Sequence, residues 1–183
     1  MQRLEMSGIT ILSTRTVARP FTPGDAEEVF SCMSPGITRF MSWEPPSSLA
    51  EFERIWRDWL PSIEDRSDLH LVARARDGGR CLGIVGLHDL ASGKPELGIW
   101  LRENVHGRGF GRELIGSVAA WASENAIVEY FKYPVAEQNM ASRRIAEAHG
   151  GHVAGQRIHP KYRSVLYIIP PFRTPVSKPP RAE

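Results

Sequence analysis

Two cysteines in 183 residues, Cys32 and Cys81, are too few and too far apart for a disulfide framework or a thiolate metal site. Both are expected to be reduced, as in a protein kept in a reducing compartment. No apolar run approaches the ~18 residues that a membrane-spanning helix needs. Residues 1–10 carry no uninterrupted apolar core of the kind a secretory leader requires. A cytoplasmic location without a membrane partner is the expectation that remains. Charge of one sign is lacking too: 23 Lys and Arg stand against 21 Asp and Glu, a net +2. No Lys/Arg run is interleaved with aromatics, so no nucleic-acid partner is expected. There is no internal repeat. What is present, 42% apolar and 24% charged residues, suffices for one globular domain with a buried core.

Along the chain, residues 11–20 read as a first strand rich in Thr and Val. Thr22-Pro23-Gly24-Asp25 has the composition of a helix start, and Ala26, Val29, Phe30 and Met33 supply its apolar face. Ser34-Pro35-Gly36 is expected to stop that helix. Ser48-Leu49-Ala50-Glu51 opens a second helix as a capping box. Leu49, Phe52, Trp56 and Trp59 fall on one face of it, and Pro61 is its expected terminator. The rigid aromatic linker Met41-Ser42-Trp43-Glu44-Pro45-Pro46 reads as a packed loop or as a wall of an acceptor pocket. Residues 69–76, 82–90 and 96–101 form a meander of consecutive strands, turning at Asp77-Gly78-Gly79 and Ser92-Gly93-Lys94-Pro95. A helix over 111–125, a strand over 128–135, a helix over 139–149 and a hairpin of 152–159 with 164–169 follow. The order is α/β (α+β), about seven strands and about four helices in one domain over 11–169. Residues 1–10 are an N-terminal extension. Residues 170–183 hold five prolines and are expected to be largely disordered.

The chemistry concentrates where the apolar strand Glu96-Leu97-Gly98-Ile99-Trp100-Leu101 runs through Arg102-Glu103-Asn104-Val105 into His106-Gly107-Arg108-Gly109-Phe110-Gly111-Arg112. Glycines at alternate positions let a ligand approach the backbone. The unpaired first-turn amides and positive dipole end of the following helix favour a phosphate or pyrophosphate. A nucleoside-triphosphate loop needs Lys-Ser or Lys-Thr after its last glycine; Arg112-Glu113 stand there instead. A dinucleotide fingerprint needs different glycine spacing and an early βαβ unit. The plain alternative is a glycine-rich surface turn.

This stretch resembles the pyrophosphate loop of the GNAT acetyltransferase superfamily, Gln/Arg-x-x-Gly-x-Gly/Ala, with His106 at the Gln/Arg position. Asn139-Met140-Ala141-Ser142, continuing to Gly150, is similar to the Asn-x-x-Ser helix of the branch that acetylates ribosomal-protein N-termini. Thr16 to Ala26 is similar to that branch's first strand and helix. The resemblance spans roughly residues 11–169. It implies a twisted, mixed, mostly antiparallel sheet that splays between its fourth and fifth strands around the pantetheine arm of acetyl-CoA.

Carried over residue by residue, the resemblance places the backbone of Ile99, Trp100 and Leu101 along that arm. It places the turn His106, Gly107, Arg108, Gly109, Phe110, Gly111 and Arg112 at the pyrophosphate. Arg108 and Arg112 are alternatively solvated surface charges. Asn139 bonds the pantetheine amides, caps its helix, or does both.

The implied reaction is direct attack of a primary amine, on a protein N-terminus or a small molecule, upon the thioester in a ternary complex. Deprotonating an α-amine at pH 7 costs about 1.4 kcal/mol, and a lysine about 4.6 kcal/mol. A carboxylate base helps with either. Glu96 is the candidate base, or else a strand-edge charge; His88 is the runner-up. The family's usual tyrosine acid falls on Ala146, so Ser142 is the candidate partner of the thiol. Its alternative is a satisfied helix serine. Arg157, His159 and Tyr162 are candidates to meet an acidic group on the acceptor. His149 and His152 do not read as metal ligands, and no metal is expected. A non-catalytic acyl-CoA sensor and an adaptor built on Trp43, Trp56, Trp59, Trp100 and Trp121 are the rival classes. Oligomeric state is open, with a homodimer as the expectation.

Overall fold

The computed structural model describes residues 8–172. Residues 1–7 of the expected extension and all but the first three residues of the expected disordered tail lie outside the described residues. The chain opens with two short strands, β1 (Ile11–Leu12) and β2 (Thr16–Pro20), where the sequence predicts one. Ser13 accounts for the difference. Its N–H donates to the Thr16 carbonyl at 2.9 Å and its hydroxyl lies 2.6 Å from that of Thr16. Such local bonds divert the backbone from an extended path, and β1 folds back with Ile11 opposite Ala18.

Thr22 and Asp25 close a capping box over a 3-10 turn that leads into α1 (Ala26–Ser31). Ser34-Pro35-Gly36 ends α1 and also starts α2 (Pro35–Thr38). The Ser34 hydroxyl accepts the Ile37 N–H at 3.3 Å, and Pro35 takes the first helical position. α3 (Leu49–Arg57) begins on Ser48, whose hydroxyl accepts the Glu51 N–H at 3.2 Å. The Glu51 carboxylate reaches one residue further back than a capping box requires, to the N–H and hydroxyl of Ser47. Pro61 does not terminate the helix. The break falls at Asp58, and Pro61 sits in the first turn of α4 (Trp59–Asp65), where a missing N–H leaves no intrahelical bond unmade.

The meander follows as β3 (Leu69–Ala75), β4 (Cys81–His88) and β5 (Glu96–Leu101). Then come α5 (Phe110–Asn125), β6 (Phe131–Ala136), α6 (Met140–Ala148), β7 (His152–Ile158) and β8 (Arg163–Ile169). β6 starts three residues later than predicted. The eight strands form one sheet in the order β1-β2-β3-β4-β5-β6-β8-β7. Every neighbouring pair is antiparallel except β5 and β6. The split first strand raises the strand number above seven. The extra α2 and the break before α4 raise the helices above four.

Each sheet face carries its own core. α5 lays Leu114, Ile115, Val118, Ala119 and Ala122 on one face, all fully buried. Each leucine- or isoleucine-sized side chain so buried contributes roughly 1.5–3 kcal/mol. On the other face Phe21, Val29, Phe52, Trp56 and Trp100 pack under the early helices. Trp43 and Trp59 pack against this second core and Trp121 against the first, so the five tryptophans do not form an adaptor surface. Cys32 and Cys81 are buried and unbridged. Among the described residues no helix is long and apolar enough to cross a membrane.

Candidate active site

β5 and β6 run parallel and share one register pair, Glu96 opposite Lys132. Beyond it they diverge, while β5 stays paired to β4 as far as Leu101. An edge without its ladder leaves backbone N–H and C=O groups for another partner. A cavity of about 720 Å³ opens at this parting.

The alternation of β5 sends Leu97 and Leu101 into the α5 core and turns Glu96, Gly98 and Trp100 toward the early helices. Three cross-strand pairs therefore make the cavity floor: Ile84 with Trp100, Gly86 with Gly98, and His88 with Glu96. A Cβ built on Gly98 meets nothing within 4 Å; one on Gly86 would lie 2.4 Å from Nε2 of His88. Gly98 thus keeps the floor low, and Gly86 gives the His88 ring its place. The sequence reading missed this pair. Its signal was a glycine at matching depth in two consecutive predicted strands.

Around the floor, the Arg157 guanidinium donates to Oε2 of Glu96 at 3.3 Å. His88 Nδ1 stands 3.7 Å from a carboxylate oxygen of Asp68. The His70 ring stacks on Trp59, centroids 4.3 Å apart, and meets His88 edge-on at 5.2 Å. Burial, and secondarily His88, takes His70 down to about 4, so it is neutral near pH 7. The ligand atoms of Asp68, His70 and His88 lie within 4.8 Å of one another. Asp68 also accepts the Asp89 N–H at 2.8 Å. His149 belongs to a different contact: its Nε2 donates to the Arg112 carbonyl at 2.8 Å and ties the end of α6 to α5.

α6 meets the parting from the other side. Asn139 is its N-cap, Oδ1 accepting the Ser142 N–H at 3.2 Å, and it lines the cavity as well. The Ser142 hydroxyl lies 2.7 Å from the hydroxyl of Tyr133 on β6. Tyr133 is 1% exposed, and burial pushes it up to about 12, so it holds its proton. The sequence reading missed Tyr133. Ala146, at the family's tyrosine position, is fully buried, and a hydroxyl reaches the same helix from the neighbouring strand instead.

Past the end of β5, Gly107 and Gly109 adopt φ of 73° and 81°, a region that suits glycine. Gly111 serves a different purpose: a Cβ there would lie 2.8 Å from Ile145 of α6, so it allows close helix packing. The His106 ring turns back to donate to the Leu101 carbonyl at 2.7 Å. Arg15, also missed, braces the turn from the β1–β2 side. It bonds Glu113 at 2.7 Å and the Arg108 carbonyl at 3.0 Å, and its guanidinium lies 4.4 Å from the Phe110 ring centroid.

Of the sequence-predicted residues, Glu96, Ile99, Trp100, Asn139 and Ser142 line one cavity, joined by Arg157, His159 and Tyr162 of the last hairpin. Leu101 and the turn from His106 to Arg112 lie outside that lining. Gly109 and Arg112 border a second hollow of about 550 Å³ together with Arg15 and His149. Arg108 and Arg112 are exposed.

Comparison with known proteins places the fold and the family. Residues 15–152 match the family described as the acetyltransferase (GNAT) domain. The chain is 25% identical over 139 residues to the uncharacterized N-acetyltransferase YoaA of Bacillus subtilis (strain 168), covering 74% of this chain and 78% of that protein. Among solved structures it is similar to RimL, a ribosomal L7/L12 alpha-N-protein acetyltransferase. The TM-score is 0.78 at 13% identity, over 88% of this chain and 94% of that one. It is also similar to the spermidine N-acetyltransferase from Vibrio cholerae in complex with CoA and spermine. There the TM-score is 0.70 at 20% identity, over 84% and 93% of the two chains.

Proposed function

The chain belongs to the GNAT acetyltransferase family, and from that premise we propose that it moves an acetyl group from acetyl-CoA to a primary amine by direct attack in a ternary complex. The observation that carries the reading is the parting of β5 from β6 beyond Glu96, directly beside Asn139 and Ser142. The free β5 edge fits an extended ligand arm bearing amides, which can pair with it as an added strand would. Ile99 offers backbone there, because the odd-numbered residues of β5 face β6, as the Pro95 carbonyl does in accepting the Lys132 N–H. The expected role of the Trp100 backbone does not hold, since its carbonyl points at β4 beside Gly83. The Leu101 carbonyl is already taken by His106. The glycine turn offers amides and the start of a 16-residue helix to an anion.

Acetyl-CoA supplies the activated acetyl thioester. Glu96, at the floor of the cavity, takes the amine proton, directly or through water, as the C–N bond forms. Arg157 holds the Glu96 carboxylate in place at 3.3 Å. As the C–S bond breaks, the Ser142 hydroxyl donates a hydrogen bond to the departing thiolate, and Tyr133, whose burial keeps it protonated, donates one to the Ser142 oxygen. Neither residue ionises, and the thiolate takes its proton from solvent. A thiolate with a pKa near 8.5 needs little help, so this contribution is the smaller of the two.

Calorimetric titration with acetyl-CoA tests the reading, run beside Gly109→Val. The variant's branched side chain stands at φ 81°, a conformation unfavourable for any residue with a Cβ. Saturable binding by the wild type that is lost in a folded variant supports the turn as the anion site. No binding up to about millimolar concentration, weaker than about −4 kcal/mol, would sink the enzyme reading. Binding without transfer to any amine would return the protein to the sensor class.

A further inference from the structure

We infer that the acceptor is a primary amine attached to an uncharged apolar group, either a small arylalkylamine or a peptide N-terminus with an apolar first side chain, and not a polycation. The inference rests on the acetyl-transfer reading and specifies its second substrate. Gly98 leaves a trough in the floor between Trp100 and Glu96, bordered by the His88 ring that lies over Gly86. Above that trough stand Met33, Phe52, Ile55, Trp59 and Trp43 from the early helices and their linker. An amine placed at Glu96 lays its substituent over Gly98, beside the His88 ring and against these side chains.

The charges argue the same way. Among the described residues that line the cavity, Glu96 is the one carboxylate, and Arg157 already donates to it. A polyamine's second ammonium would lose its hydration and find no anion. His70, at the Trp59 end, is stacked on that ring and presents a neutral aromatic surface. The fold is shared with a structure described as a spermidine N-acetyltransferase in complex with CoA and spermine, but the lining here does not suit a polycation.

The test follows thiol release by the full chain from acetyl-CoA. The acceptors are phenethylamine, spermidine, and one peptide body carrying Phe, Leu, Ser or Asp at its free N-terminus. Phenethylamine or the Phe and Leu peptides should exceed spermidine and the Ser and Asp peptides in kcat/KM by at least about tenfold. Which of the two apolar arms leads identifies the source of the amine. Ile55→Glu adds a carboxylate at a site that is 39% exposed, so the fold should tolerate it. It should lower the ratio of apolar acceptor to spermidine by about tenfold or more. Spermidine or the Ser peptide equalling the apolar acceptors, or an unchanged ratio in Ile55→Glu, would overturn the inference and leave the transferase reading standing. Thiol release with none of these amines would overturn both.

Discussion

Filling the floor of the cavity separates its role in folding from its role in transfer. Gly98 lies in the middle of β5, and a Cβ there meets nothing within 4 Å. Its φ is outside the left-handed region, so a branched residue fits the backbone. Gly98→Val should therefore stabilise the protein. Glycine within a strand costs about 0.5–1 kcal/mol relative to alanine, and valine is favoured in strands. For a domain of this size a gain of about 1 kcal/mol raises Tm by roughly 2–4 °C. The valine side chain meanwhile occupies the trough between Trp100 and Glu96. Displacing the amine by about 1 Å is enough to cost on the order of 100-fold, so kcat/KM should fall at least that far. Acetyl-CoA affinity should change by less than about tenfold if, as proposed, its arm runs along the strand edge rather than over the floor. Thermal melts, thiol-release kinetics and calorimetry on one preparation read all three quantities. A lowered Tm would refute the open floor. Wild-type turnover in a folded variant would refute the placement of the amine.

Glu96→Gln should lower kcat by about 10²–10⁴-fold with acetyl-CoA affinity retained; a variant rate unchanged from the wild type at both about pH 6.5 and about pH 8 would remove Glu96 as the base. Tyr133→Phe and Ser142→Ala should each lower kcat, and the double variant should lose less than the sum, because the two hydroxyls, 2.7 Å apart, act as one unit. Strictly additive losses would separate them. His70→Phe should flatten the acid limb of stability. The folded protein holds His70 at about 4 against an ordinary 6.5, so the unfolded chain binds the extra proton between those values. The stability is present above about 6.5 and lost as pH falls toward 4, about 2 kcal/mol between pH 7 and pH 5. His88 and Asp68 face the ring and remain in the variant. Identical Tm changes over that range in wild type and variant would show that His70 is not held neutral.

The elements with strong periodicity were legible in the sequence. The meander, the long α5 with its apolar stripe, and the Asn139 cap fall where pattern and capping place them. Two of the errors come from short polar residues whose side-chain bonds choose among local alternatives, and the third from a proline that suits a first turn as well as a stop. Ser13 splits a strand, Ser34 starts a helix at an expected stop, and Pro61 is read as a terminator although it stands in a first turn. In the site, motif residues were legible because their spacing is local. Tyr133, Arg15 and the Gly86–Gly98 floor were not, because each acts on a partner 9 to 98 residues away or across a strand register. Local pattern fixes which face a strand presents but not which side chain of a distant element meets it.

One topological fact joins the separate parts of the site. β5 and β6 are parallel, so the chain between them must cross over, and α5 makes that crossing. The crossover helix starts just past the carboxyl end of β5, the same end at which the strands part. α6 likewise begins just past the carboxyl end of β6, with Asn139 at its cap. Two helix starts, the glycine turn and the free strand edge are thus brought to one side of the sheet by a single parallel pairing. Open α/β sheets place ligands at the carboxyl ends of their strands for the same reason. In this chain the surrounding strands are antiparallel and their ladders stay closed, so the opening is confined to the β5–β6 boundary. The acceptor cavity then needs no element of its own. Gly98, on the face opposite α5, deepens what the parting has already exposed, and Gly86 makes room for the His88 ring beside it.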